Sequence, residues 1–164
     1  VGDTADVPRC VVDLANNWFS FDQKKLEEAG VTPEQAERSL AEWLRKQPGI
    51  NRVYTAHQIR KGIDADDFLG QRVAQCYFAE RCGDVLMVLK PYWLTGDYST
   101  GTTHGSPYGY DTHVPLVVYG PLVSPAVHQD RVTPLAIAPI FSKAVGVKPP
   151  AQSQVSVPEG LFEK

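Results

Sequence analysis

The sequence predicts an α/β fold, in which a small lobe of alternating strands and helices leads through a glycine-rich loop into an apolar strand. Three observations carry this. Apolar residues recur at helical spacing behind a well-signalled helix start at Thr32. Short apolar runs at Ile50 to Thr55 and Val85 to Leu89 have strand composition. From Thr95 to Tyr110 the texture changes to Gly, Ser, Thr and Tyr, which is loop chemistry. A chain of 164 residues is long enough for one domain with its own core.

The elements follow in order. Cys10 to Leu14 opens a strand that extends towards Trp18, Phe19 and Phe21, and Asp22 to Ala29 is a short helix closed by Gly30. At Thr32-Pro33-Glu34-Gln35, a capping threonine, a proline suited to the first turn and a glutamine completing a capping box agree. Ala36, Leu40, Trp43 and Leu44 fall on one face of that helix, which ends at Pro48-Gly49. Ile50 to Thr55 is the next strand. Asp64 to Asp67 is a solvated helix start that precedes a helix burying Phe68, Leu69, Val73 and Tyr77. Asp84 to Leu94 is a further apolar strand. The resulting βαβαβ order implies helices packed on one sheet face. Beyond the loop, Val114 to Tyr119 reads as an apolar strand ended by Gly120-Pro121. Thr133 to Val145 reads as a helix, in which Pro139 implies a kink or a later start. The expected organisation is a lobe over 1–94, a loop, core strand and helix over 95–147, and an irregular tail over 148–164.

Hydrophobic residues make up 43% of the chain and charged residues 21%, an ordinary globular composition. With a net charge of -3 and no basic run, nucleic acid polymers and anionic membrane surfaces are poor electrostatic partners. No stretch approaches the roughly 18 apolar residues of a membrane span. The opening Val1 to Asp6 has neither the basic start nor the apolar stretch of a secretion signal, and mid-domain sequence follows at once. The expectation is therefore a fragment of a longer protein. Cys10, Cys76 and Cys82 form no CxxC pair, which argues against a cysteine zinc site. Cys76 and Cys82 flank a short turn and are read either as a bridge or as small buried residues.

The chemistry-bearing segment is Gly101-Thr102-Thr103-His104-Gly105-Ser106-Pro107-Tyr108-Gly109-Tyr110-Asp111-Thr112-His113-Val114-Pro115-Leu116-Val117-Val118-Tyr119-Gly120. It sets two histidines and an aspartate on a loop leading into a strand, where a rigid sheet holds reactive groups in place. Imidazole is the commonest protein ligand for zinc and needs an acceptor behind it to fix its tautomer. His104 and His113 are too far apart for a helical pair, so their spacing alone leaves ligand and surface roles both open. Tyr108 and Tyr110 are read as packing the loop. His57 and His128 are read as ordinary polar positions.

This segment closely resembles the C-terminal motif of those alkaline phosphatase superfamily members that use a threonine nucleophile. It is also similar to the nucleotide pyrophosphatase/phosphodiesterases, which carry a histidine-glycine pair at the matching place. Arg81 to Leu86 with Lys90-Pro91-Tyr92-Trp93 resembles the strand ahead of the motif, and Thr133 to Pro139 resembles a later helix start. There the sequence departs from the pattern, with Leu135-Ala136 where an Asp is usual and Ile140 for a Thr.

The resemblance covers essentially the whole chain and implies the C-terminal portion of an alkaline-phosphatase-like α/β/α sandwich. It implies a phosphate-ester substrate, two zinc ions in the complete enzyme, and a periplasmic or extracellular location. It further implies that His104 completes the shell of one zinc, with His113 as the rival ligand and Asp111 as an acceptor behind the imidazole or a loop brace. The nucleophile and the other ligands belong to earlier motifs not found here, so this chain is expected to be inactive alone. A nucleotide pyrophosphatase or phosphodiesterase is the nearest alternative. A free-standing α/β binding module presenting Trp18, Phe19, Tyr92 and Trp93 is the reading from another class.

Overall fold

The computed structural model describes residues 7–96 and 100–162. They fall into two compact units that divide between His113 and Val114. In the first, a short helix α1 (Val7–Cys10) runs directly into β1 (Val11–Ala15), which pairs antiparallel with β2 (Trp18–Phe21). Sequence reasoning runs these two strands together. The break lies at Asn16 and Asn17, whose φ of 51° and 65° make the two-residue turn that suits the twist of a hairpin. Asparagine tolerates that left-handed region better than most side chains.

Helix α2 (Gln23–Glu28) is capped by Asp22, and α3 (Pro33–Leu44) by Thr32, whose hydroxyl accepts from Gln35 N while Gln35 Oε1 accepts from Thr32 N at 2.9 Å. The capping box is thus closed as expected. Strand β3 occupies Ile50–Thr55, the predicted bounds. It is followed at once by α4 (Ala56–Lys61), which sequence reasoning missed. Helix α5 (Phe68–Cys76) starts at Asp67, and β4 (Val85–Leu89) is shorter than the predicted strand. The sheet order is β1-β2-β4-β3 with every neighbouring pair antiparallel.

Period-two alternation sorts the core. Phe21, Val53, Val85 and Met87 pack with Leu26, Ala36, Leu40 and Leu44 from α2 and α3. Tyr54 and Val88 point the other way and pack with Ile59 and Val73 from α4 and α5. Helices therefore cover both faces of the sheet, which corrects the one-face expectation. Strand β4 serves both cores because both of its residue parities are apolar.

Two side chains fix the helices to the sheet. Glu37 of α3, only 2% exposed, accepts a hydrogen bond from His57 N of α4 at 2.9 Å and lies 3.7 Å from the Arg60 guanidinium. Burial, only partly offset by these contacts, raises its carboxyl above the ordinary range. Tyr54 of β3 donates to Asp67 at 2.9 Å, and Asp67 also accepts from Gly70 N at the start of α5. That anchors α5 to the strand beneath it.

In the second unit, a 3-10 turn (Pro134–Ala136) leads into α7 (Ile137–Ala144), so the helix begins later than Thr133 and Pro139 sits in its first turn. (A single-turn helix, α6, Gly109–Thr112, precedes it at the end of the first unit.) The tail returns to pair Phe162 with Val123, and Ser124 N donates to Leu161 O at 3.0 Å. A small cluster of Ala136, Ile140 and Leu161 is its buried core. Val114 to Tyr119 forms no strand, contrary to expectation; Val117 is 84% and Tyr119 100% exposed. A strand exists only when a neighbour takes up its hydrogen bonds, and among the described residues none pairs with this run.

Candidate functional site

The loop carrying the histidines is irregular up to α6 (Gly109–Thr112), a single turn that begins at Tyr108 and ends on His113. Two residues tie it to the sheet and helices of the first unit, and a third contact closes it on itself. The Tyr108 hydroxyl accepts from Asn51 Nδ2 at 2.6 Å and donates to Leu89 O at 2.6 Å, joining the loop to β3 and β4. Arg72 of α5, stacked 4.2 Å over the Phe68 ring, donates to Pro107 O and, at 3.1 Å, to Thr112 Oγ1. Asp111 accepts from Ser106 N at 2.8 Å, closing the loop on itself.

Aromatic rings extend the same anchor. Tyr108 stacks on Tyr110 at 5.6 Å between centroids, and Tyr110 on Tyr92 at 4.6 Å. Tyr92 has a φ of 66°, unusual for a residue with a side chain, and its N–H donates to the Tyr110 hydroxyl at 3.1 Å. Both loop tyrosines thus pack as read from the sequence. Asn51, Arg72 and Tyr92, by contrast, carried no sequence signal linking them to the loop. They stand 57, 35 and 18 residues from their partners.

His104 lies exposed ahead of this braced turn, and Gly105 after it adopts a φ of 105°. A Cβ there would meet nothing within 4 Å, so the glycine is needed for the backbone turn and not for clearance. The Ser106 hydroxyl, then its N–H, then the His104 imidazole hold the Asp111 carboxyl below its ordinary range. The hydroxyl itself makes no hydrogen bond of acceptable geometry, so the backbone N–H is the contact that braces the turn. His113 is exposed as well, its N–H donating to Gly109 O at 2.9 Å as the end of α6.

A catalytic zinc takes three protein ligands and keeps a fourth position open. Among the described residues, no group of three His, Cys, Asp or Glu side chains converges. The described residues therefore do not make a complete metal centre. Among the described residues no helix is long and apolar enough to cross a membrane.

No protein-family model matches the chain. It is 26% identical over 141 residues to a calcium-transporting ATPase of Myroides odoratus, covering 85% of this chain and 26% of that protein. It is 26% identical over 145 residues to the alkaline phosphatase PhoV of Synechococcus elongatus, covering 88% of this chain and 26% of that protein. The crystal structure of wild-type alkaline phosphatase PafA shares its fold, with a TM-score of 0.81 at 21% identity over 94% of this chain and 29% of that one. The chain thus spans about a quarter of the length of the curated relatives it matches.

Proposed function

We propose that this chain, a relative of the alkaline phosphatase superfamily over part of those proteins' length, is the C-terminal portion of a zinc-dependent phosphate-ester hydrolase. Its role there is to supply one zinc-ligand histidine, His104. The observation that carries this reading is the pairing of an exposed imidazole with a firmly braced loop. His104 is open to solvent, while Tyr108, Arg72 and the Asp111–Ser106 contact hold the residues behind it. Binding and catalytic side chains are disproportionately found on loops held by a rigid scaffold.

In this reading His104 binds the ion, and Asp111, which accepts from Ser106 N, braces the loop behind it. Bound zinc supplies positive charge to polarise a phosphoryl oxygen. Arg72 and Tyr108 position the loop and touch no substrate. The remaining ligands and the nucleophile come from polypeptide outside this chain, which makes that polypeptide its natural partner and leaves the chain inactive alone. A periplasmic or extracellular site belongs to the same proposal.

The test is made in a longer protein that contains this segment. His104→Ala is expected to lower zinc content and abolish phosphate-ester hydrolysis, while His113→Ala leaves both intact. The reverse pattern transfers the ligand role to His113. Full zinc content and activity in both variants refutes the proposal. The 164-residue chain supplied with zinc is expected to hydrolyse no phosphate ester; measurable turnover there contradicts the division of labour.

A further inference from the structure

Cys76 is the last residue of α5 and is exposed; Cys82 lies just ahead of β4 and is partly exposed. The segment between them is a tight turn, with Arg81 N and Cys82 N both donating to Phe78 O, at 3.0 and 2.9 Å. That turn brings the Cys82 thiol to 3.7 Å from the Cys76 carbonyl oxygen, and Phe78 N donates to the Cys82 sulfur at 3.3 Å. The sulfur of Cys82 is thus held against the backbone of Cys76. The two cysteines thus lie at either end of one formed turn, not on distant segments. Cys10, the last residue of α1, is 3% exposed and packs in the core with residues of α2 and α3.

We propose that Cys76 and Cys82 form a disulfide that ties the end of α5 to the start of β4. The oxidant is a small-molecule disulfide such as glutathione disulfide, and the step balances by exchange. The more exposed Cys76 attacks one sulfur of the reagent, forming a mixed disulfide and releasing one equivalent of free thiol. Cys82 then attacks the Cys76 sulfur, forming the intramolecular bond and releasing the second. Two protein thiols become one disulfide and the reagent becomes two thiols.

The position of the bridge gives it a consequence. Arg72 lies one helical turn before Cys76 on α5 and grips the loop at Pro107 O and Thr112 Oγ1. Asp84, two residues beyond Cys82, accepts from Phe21 N at 2.8 Å and receives Ala56 N on its carbonyl at 2.7 Å, so this end of the tether is already locked into the sheet. Fixing the end of α5 to that point steadies Arg72 and, through it, residues 104–113. This inference stands on the turn itself and is independent of the hydrolase reading.

The chain is equilibrated with glutathione disulfide, denatured, alkylated and digested with trypsin. The expected product is the peptide Val73–Arg81 joined by a disulfide to the peptide beginning at Cys82, with the alkyl label on Cys10. Label on both Cys76 and Cys82, a bond from either to Cys10, or a lasting mixed disulfide on either refutes the bridge. Cys82→Ser is expected to stop at the mixed disulfide on Cys76. Amide exchange over 104–113 is expected to slow severalfold on oxidation of the wild type and to be unmoved in Cys82→Ser. Equal exchange in the two wild-type redox states refutes the link to the loop.

Discussion

Tyr108→Phe isolates the tie between the histidine loop and the sheet. The substitution keeps the ring, its 5.6 Å stack on Tyr110 and its place beside Tyr54 and Val88. It deletes one hydroxyl that makes two hydrogen bonds of 2.6 Å, from Asn51 and to Leu89 O. Each such bond contributes about 0.5–1.5 kcal/mol net, and half-buried partners left unpaired add to the loss, so the loop is destabilised by about 2 kcal/mol. At about 1.4 kcal/mol per decade, that is roughly a 30-fold rise in local opening. Amide hydrogen exchange over 104–113 measures it directly, with urea denaturation as the global counterpart. The control is Tyr110→Phe, which loses a single bond to Tyr92 N at the surface and should change exchange far less. If Tyr108→Phe leaves exchange in the loop within about threefold of wild type, the hydroxyl is not its anchor and the brace argument fails.

Asp111 has a carboxyl held below its ordinary range, so its bracing is fully present above the ordinary carboxylate pKa and lost as pH falls through the depressed folded value. Protection of 104–113, taken as exchange relative to the intrinsic rate at each pH, should therefore fall on strong acidification, and Asp111→Asn should show that loss already at neutral pH; wild-type protection that stays constant with pH contradicts this. Glu37 is the opposite case, since its raised folded pKa makes its contribution complete below the ordinary carboxylate value and lost as pH rises through the folded one. Glu37→Gln keeps an acceptor for His57 N, so its stability relative to wild type should rise with pH across that window, and parallel denaturation curves would refute the burial argument. Gly49→Ala places a Cβ 2.5 Å from the Trp93 ring at a φ of 84°. The left-handed backbone alone costs about 1–2 kcal/mol, so a lower urea midpoint with altered tryptophan emission is expected, and a neutral outcome would mean that Trp93 does not lie on this glycine.

How legible all this was in sequence depends on how local each cause is. Helix α3 could be read because its cap, its first-turn proline and its apolar face lie within 13 residues, Thr32 to Leu44. The hairpin turn was overlooked because Asn16-Asn17 lacks the glycine that usually marks such a turn, although its two positive φ angles serve the same end. Helix α4 escaped notice because six residues burying only Ala56 and Ile59 show no period. The site divides along the same line. Loop packing by Tyr108 and Tyr110 was legible, whereas Arg72 and Asn51 reach the loop through the fold alone. The strand expected at Val114 to Tyr119 fails for a related reason: β-branched composition records a preference for a sheet, but not whether a neighbouring edge is present.

That unpaired run has a practical consequence when taken with its surroundings. Beside Val117 and Tyr119, Leu122, Val127, Phe141 and Val145 all stand more than half open to water, in a unit whose own core is three residues. Large apolar areas left wet make a protein adhesive. Prepared by itself, the chain should light up a hydrophobic dye, cling to surfaces and associate as it is concentrated. Co-production with the polypeptide that fills the other three-quarters of its relatives' length should quench the dye signal and restore good behaviour in solution.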